Sequence, residues 1–130
     1  MQKTEIHRTH PAFFPILWLL AMAATITGEL LPGNSTPMTW IAATHINDKT
    51  LHFAAYALLA FIPAFGFRLR HGIPLALSMI LLGIALEFGQ SLVPSRSFEL
   101  ADMMANALGV FAGIVVALVG RVSMPAGEPG

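Results

Sequence analysis

The sequence alternates long apolar runs with short polar stretches, and this pattern decides the fold class. The apolar runs cover residues 12–31, 51–67, 73–93 and 100–119. Each is close to the ~17 to 25 residues that a helix needs to cross the hydrocarbon core of a bilayer. Backbone amides in lipid have to be paired within their own segment, which favours helices. We therefore predict an all-α four-transmembrane-helix bundle with helices near 12–31, 48–67, 73–93 and 98–119.

Composition supports a membrane protein and excludes several functional classes. The chain is 55% hydrophobic and only 11% charged, with a mean hydropathy of +0.70, whereas ordinary soluble domains are about 25% charged. There is no cysteine, so neither a disulfide framework nor a thiolate metal site is available. The formal net charge is zero, and we expect no nucleic-acid partner. No sizeable polar segment remains outside the helices, so residues 1–130 are predicted to form a single membrane domain.

The distribution of Lys and Arg predicts the orientation, because these residues are enriched in cytoplasmic connections. With the N-terminus in the cytoplasm, five of the seven basic residues lie inside: Lys3, Arg8, Arg68, Arg70 and Arg121. Lys49 and Arg96 are the two that lie outside. We therefore predict that both termini are cytoplasmic. Trp40, in the outer connection 32–47, is expected to anchor the chain at the membrane surface.

Polar residues recur near the outer ends of three of the helices, at spacings that place them on shared faces. They are Asp48, His52 and Tyr56 in the second helix, Glu87 and Gln90 in the third, and Asp102 and Asn106 in the fourth. The three in the second helix extend about 12 Å inward from the outer surface. The three helices are thus predicted to direct polar side chains to one level of the membrane.

Structural interpretations compete with functional ones at several of these positions. Asp48 and Glu99 suit the first turn of a helix, where an acidic side chain is favourable. His52 could hydrogen-bond between helices near the headgroups. Gly109 and Gly113 form a small-xxx-small face that lets another helix approach closely, either within one bundle or between two copies of the chain.

Glu87 is harder to explain as a structural residue. A carboxylate at the centre of a membrane helix costs about 2.5 to 3.5 kcal/mol on insertion scales, and such residues usually line a cavity or pair with a partner. If Glu87 and Asp102 converge, the two carboxyls are expected to share a proton. Arg96, in the short link before the fourth helix, is expected to be their counter-ion or a fork for a phosphate-bearing ligand.

Three segments together resemble the signature of the VanZ-like membrane protein family. They are Asp48-Lys49-x-x-His52-Phe53-x-x-Tyr56, Glu87-x-x-Gln90-x-x-x-Pro94-x-Arg96 and Asp102-x-x-x-Asn106-x-x-Gly109-x-x-x-Gly113. The resemblance covers about half of the chain, residues 48–113. It implies an integral membrane protein of the bacterial cell envelope, in a family named after a protein associated with low-level teicoplanin resistance. It carries over no catalytic role, only the importance of the matching positions.

The first functional hypothesis is a binding site in the outer leaflet for membrane lipids, or for a lipid-linked or lipid-like envelope molecule. Basic groups would meet its phosphate or headgroup, and amides would add neutral hydrogen bonds. The predicted ligand-binding residues are Lys49, His52, Tyr56, Glu87, Gln90, Arg96, Asp102 and Asn106. We expect the protein to lie in a bacterial inner or plasma membrane as a multi-pass protein, with an oligomer through Gly109 and Gly113 left open.

Two alternatives come from other classes. The first is an intramembrane acid-base enzyme acting on a lipid-linked substrate, with His52, Glu87 and Asp102 as catalytic candidates. A divalent metal held by these three residues is a variant, but the sequence contains no compact metal-binding motif, so we predict no cofactor. The second is a small proton-coupled transporter, which we rank last because its membrane acid, Glu29, lies at the outer end of the first helix.

Overall fold

The computed structural model describes residues 12–124, which are helical with no strand. Its five helices are α1 (Phe13–Leu30), α2 (Thr36–Ala43), α3 (Asp48–Gly66), α4 (Leu69–Gln90) and α5 (Leu100–Ser123). All except the short α2 are long and apolar enough to cross a membrane. The predicted all-α bundle with four membrane helices is thus confirmed. Its orientation stays a prediction, and Lys3 and Arg8, on which it partly depends, lie outside the described residues.

The helix boundaries agree with the sequence at α3 and differ at α4. Asp48 begins α3 as expected, after the N-cap residue Asn47, whose side chain accepts a hydrogen bond from the Lys49 amide at 2.8 Å. Helix α4 begins at Leu69, four residues before the predicted start, because the Arg68 carbonyl closes a first turn directly after α3. It ends at Gln90, and residues 91–93 continue in tight turns.

The connection 32–47, predicted as a loop, contains the extra helix α2. Ser35 lies at its N-cap position, and Pro37 stands in its first turn, where a missing amide hydrogen costs nothing. The prediction rested on apolar runs long enough to cross a membrane. This connection contains no such run, so its eight-residue helix was not predicted. Trp40 is exposed on this helix, and its role as a membrane anchor stays a prediction.

Side-chain contacts show that consecutive membrane helices run in opposite directions. The ends of α1 and α4 meet the starts of α3 and α5, and we call this the polar end of the bundle. At the opposite end, the Arg121 guanidinium donates hydrogen bonds to the carbonyls of Ala64, Phe65 and Phe67 at the end of α3. Helix α1 is tied to the middle of α3 by the Trp18 indole, which donates to the Leu59 carbonyl at 2.9 Å.

The central contact of the bundle is the close approach of α5 to α3. A Cβ atom on Gly109 would overlap the Phe53 carbonyl oxygen, and one on Gly113 would overlap the Ala57 carbonyl oxygen. Both glycines are buried within the chain. Of the two arrangements considered for this small-residue face, packing within one bundle describes the structure.

We predict that Gly109→Ala and Gly113→Ala each destabilise the protein. The added methyl group meets backbone atoms that cannot rotate away, and overpacking typically costs about 1 to 3 kcal/mol. Gly28→Ala is the matched control, because a Cβ there meets nothing within 4 Å. In thermal unfolding of detergent-purified protein, the two α5 variants should melt below the wild type and the control should not. Unchanged melting of both α5 variants would contradict the packing.

The predicted orientation can be tested by cysteine labelling, because the natural chain contains no cysteine. Ala43→Cys and Ser123→Cys place single thiols at exposed positions at the two ends of the bundle. With both termini cytoplasmic, a membrane-impermeant maleimide should label Ala43→Cys in intact cells and Ser123→Cys only after lysis. The reverse pattern would show that the orientation is wrong.

Candidate functional site

Polar side chains are buried together at the polar end of the bundle. Those with little exposure are Glu29, His52, Glu87, Gln90, Asp102 and Asn106, with Tyr56 completely buried beside them. They come from α1, α3, α4 and α5. The prediction that three helices direct polar groups to one level is confirmed, and α1 adds a fourth contribution that was not expected.

His52 is the residue with most polar neighbours in this cluster. Its Nδ1 lies 2.9 Å from Asn106 Oδ1 on α5, and 3.7 Å from Glu29 Oε1 on α1. On the other side of the ring, Nε2 lies 3.7 Å from Asp48 Oδ2 and 3.6 Å from Asp102 Oδ2. The side chain is only 6% exposed. His52 therefore contacts carboxylates from three helices, with one ring nitrogen fixed by an amide.

Lys49 joins the starts of α3 and α5. Its Nζ lies 2.7 Å from Asp102 Oδ1, forms a close ion pair with Glu99, and lies 3.8 Å from Asp48 Oδ2. The ammonium thus faces three carboxylates. Within the described residues Lys49 contacts these acids rather than the cavity described below.

Glu87 connects the end of α4 to the start of α5. Its Oε1 accepts a hydrogen bond of 2.6 Å from the backbone amide of Glu99, which stands at the N-cap position of α5. The carboxyl is completely buried. Asp102 instead pairs with Lys49, so the two carboxyls have separate partners, and within residues 12–124 no hydrogen bond joins them.

Arg96 and Gln90 bind backbone carbonyls at the end of α1. The Arg96 guanidinium donates from Nε to the Leu31 carbonyl and from Nη2 to the Gly28 carbonyl, both at 3.0 Å. Gln90 Nε2 donates to the Glu29 carbonyl at 3.0 Å. Among residues 12–124, Arg96 makes no ion pair with an acidic side chain, so its expected role as counter-ion to Glu87 and Asp102 is wrong.

A cavity of about 310 Å³ opens at the polar end. Its polar lining residues are Thr25, Glu29, Asp48, His52, Gln90 and Arg96. Its apolar wall includes side chains of α1, α2 and α3: Ala24, Met38, Ile41, Leu51 and Ala55. The structure thus divides the eight predicted ligand-binding residues into two groups. Three of them line the cavity, and the other five form the network behind it.

Four buried polar atoms in this region have no hydrogen-bond partner among the described residues. They are Glu29 Oε2, Tyr56 Oη, Glu87 Oε2 and Asn106 Nδ2, of which the Tyr56 hydroxyl lies near the Glu29 carboxyl without a hydrogen bond of normal geometry. A fifth atom, Asp102 Oδ1, makes an ion pair with Lys49 instead. Most buried polar side-chain atoms in native proteins are paired, and leaving one unpaired costs about 1 to 3 kcal/mol. Such a concentration of unpaired atoms is typical of a site that receives polar groups from outside the chain.

Glu29 is the site residue that the sequence reasoning missed. It was considered only as the membrane acid of a transporter, at the outer end of the first helix, yet it is 8% exposed and lines the cavity. One signal was available: an acidic residue in the last turn of a helix is unfavourable, because the helix dipole is negative there. An acid kept at that position in an apolar helix indicates a local partner.

Comparison with family models matches residues 12–121 to the family described as VanZ/LLP1. The match covers most of the chain and includes all the motif residues, so the chain belongs to this family. Comparisons with curated proteins and with solved structures give no match. Family membership and the four apolar helices together define a VanZ-like multi-pass membrane protein.

We predict that Glu87→Leu destabilises the bundle more than Glu87→Gln. Glutamine keeps an oxygen that can accept the Glu99 amide hydrogen, whereas leucine leaves that buried amide unpaired at a cost of about 1 to 3 kcal/mol. Thermal unfolding of the purified variants measures the difference. Equal losses in both variants would show that the negative charge, and not the hydrogen bond, is what stabilises the α4–α5 junction.

Proposed function

We propose that the cavity at the polar end binds the phosphate-bearing headgroup of a lipid-linked or lipid-like envelope molecule in the outer leaflet. The observation that carries this proposal is the position of Arg96 in the cavity wall. Its Nε donates to the Leu31 carbonyl and its Nη2 to the Gly28 carbonyl and the Met38 sulfur, so the two hydrogens of Nη1 are the ones that make no hydrogen bond within residues 12–124. A guanidinium has five donor hydrogens in a planar fork that matches phosphate oxygens.

The remaining walls of the cavity support an amphipathic ligand. Alanine, leucine, isoleucine and methionine side chains from α1, α2 and α3 offer contacts to an acyl or isoprenoid chain. His52 and Gln90 offer further polar contacts to a headgroup. Ligand sites combine mainly apolar walls with a few placed polar groups. Teicoplanin also pairs an acyl chain with a polar head, so any resistance would arise from this same site.

Native mass spectrometry of protein extracted from its own membrane tests the proposal. Wild type should retain a lipid with a phosphate-bearing headgroup, and Arg96→Gln should lose it because the fixed cation is gone. Arg121→Gln is the matched control, since Arg121 also binds backbone carbonyls but lies at the opposite end of the bundle. Arg96→Lys, which keeps the charge, should retain part of the ligand.

The contrary outcomes are distinct. Equal ligand retention in Arg96→Gln and wild type would overturn the proposal. A mass shift that corresponds only to inorganic phosphate would mean that the site recognises a free anion and not a lipid. Size-exclusion profiles of both arginine variants show whether each is folded, and loss of ligand from a folded Arg96→Lys bundle would count against charge recognition by Arg96.

A second candidate function, acid-base catalysis on the bound lipid, is favoured by the position of His52 alone. His52 lines the cavity, whereas Glu87 and Asp102 lie behind it. If chemistry occurs, His52 is the group that can reach the ligand, and the two carboxyls position the residues around it. His52→Gln should then retain the lipid mass but lose its conversion, whereas a pure binding site shows no conversion in the wild type.

A further inference from the structure

Three potential metal ligands meet where the cavity joins the start of α3. Oxygen atoms of Asp48 and Asp102 and a nitrogen of His52 all lie within 4.8 Å of one another. His52 Nε2 is 3.7 Å from Asp48 Oδ2 and 3.6 Å from Asp102 Oδ2. These separations exceed hydrogen-bond distances. They are close to the roughly 3.4 Å that separates two ligands of a tetrahedral ion held at about 2.1 Å.

The imidazole is oriented as a metal ligand requires. Asn106 Oδ1 can only accept a hydrogen bond, so the 2.9 Å contact places a hydrogen on His52 Nδ1. His52 Nε2 then faces oxygen atoms of two carboxylates without a hydrogen bond to either, and a cation between these three atoms would be attracted by both carboxylates. Fixing one ring nitrogen by a hydrogen bond so that the other can bind metal is the usual arrangement around metal-binding histidines.

Local charge also favours a cation. Asp48, Glu99 and Asp102 present three carboxylates around the single ammonium of Lys49. Asp102 is only 5% exposed, whereas the Asp48 side chain is 55% exposed and opens a path from outside. One lysine leaves two carboxylate charges uncompensated.

We propose that Asp48, His52 and Asp102 bind one divalent metal ion, of the kind that accepts carboxylate and imidazole ligands together, such as Mn²⁺ or Zn²⁺. The ligand set differs from the one considered from the sequence, in which Glu87 took the place of Asp48. Glu87 is occupied by the Glu99 amide, whereas Asp48 lies one helical turn before His52 on the same face.

The ion would also explain how a cavity with acidic walls accepts phosphate. Without it, Asp48 and Glu29 oppose the single positive charge of Arg96. A divalent ion would cancel the negative charges of Asp48 and Asp102, and an open coordination position on it would accept a phosphate oxygen. This consequence rests on the proposed lipid site, whereas the metal site itself depends only on its three ligands.

Titration of chelator-stripped, detergent-purified protein with Mn²⁺ alone, followed by electron paramagnetic resonance, tests the proposal. We expect one bound Mn²⁺ per chain, with a nitrogen coupling from the imidazole that disappears in His52→Gln. Asp48→Asn and Asp102→Asn should each weaken binding at least about 10-fold, a typical effect of disturbing a metal site. Because Asp48 is exposed, Asp48→Asn should remain folded.

Glu99→Gln is the matched control. It removes an equal charge from the same Lys49 cluster, but Glu99 forms no contact with His52 among the described residues. Its Mn²⁺ affinity should stay within about 3-fold of wild type, well below the effect of losing a ligand. If Glu99→Gln and Asp48→Asn weaken Mn²⁺ binding equally, or if Mn²⁺ binds without nitrogen coupling, the proposal is overturned. Either result would mean that the acidic residues attract Mn²⁺ only through their overall negative charge.

The two proposals fail separately. Mn²⁺ binding with no retained lipid would uphold the metal site and reject the lipid site. A retained lipid with no Mn²⁺ or Zn²⁺ binding would uphold the lipid site and reject the metal site.

Discussion

The structure depends on the cost of placing polar side chains among membrane helices, where water is not available to pair them. At the polar end, this cost is reduced by assigning each charged group a partner on another helix. Lys49 pairs with Asp102, Glu87 accepts the Glu99 amide, and Arg96 binds the carbonyls that end α1. The pairing is incomplete, since four buried polar atoms have no partner in the described part of the chain. Those atoms are available to polar groups from outside the chain, either ordered water or a ligand.

The close approach of α5 to α3 is what brings these groups together. Because Gly109 and Gly113 lack side chains, α5 can lie directly on the backbone of α3. One to two turns toward the polar end of the same face, Asn106 and Asp102 then reach His52. Small residues near the bundle centre therefore set the geometry of the site, although they bind nothing themselves. On α5, the residues that pack against α3 and the residues that contact His52 therefore lie on one helix face.

Much of this arrangement could be predicted from the sequence, because the length of an apolar run and the depth of a polar residue are both read directly from it. The four membrane helices and the buried positions of His52, Glu87 and Asn106 followed from these two quantities. The partners did not, because they depend on how each helix is rotated about its axis. Asp48, not Glu87, meets His52 for that reason. Glu29 was missed although Thr25, four residues earlier, shares its face, because a threonine in a membrane helix can satisfy its hydroxyl on its own backbone, as Thr25 does on the Ala21 carbonyl.

The most direct test of the central claim, that the polar cluster serves a ligand, is the melting temperature of Tyr56→Phe measured with and without lipid extract from the native membrane. This change removes only a buried hydroxyl, which lies near the Glu29 carboxyl but makes no hydrogen bond of normal geometry among the described residues. If the cluster serves a ligand, the lipid-free variant should melt at or above the wild-type temperature, and added extract should stabilise it less than the wild type. A lipid-free variant that melts well below the wild type would show that the hydroxyl belongs to an internal network holding the helices together.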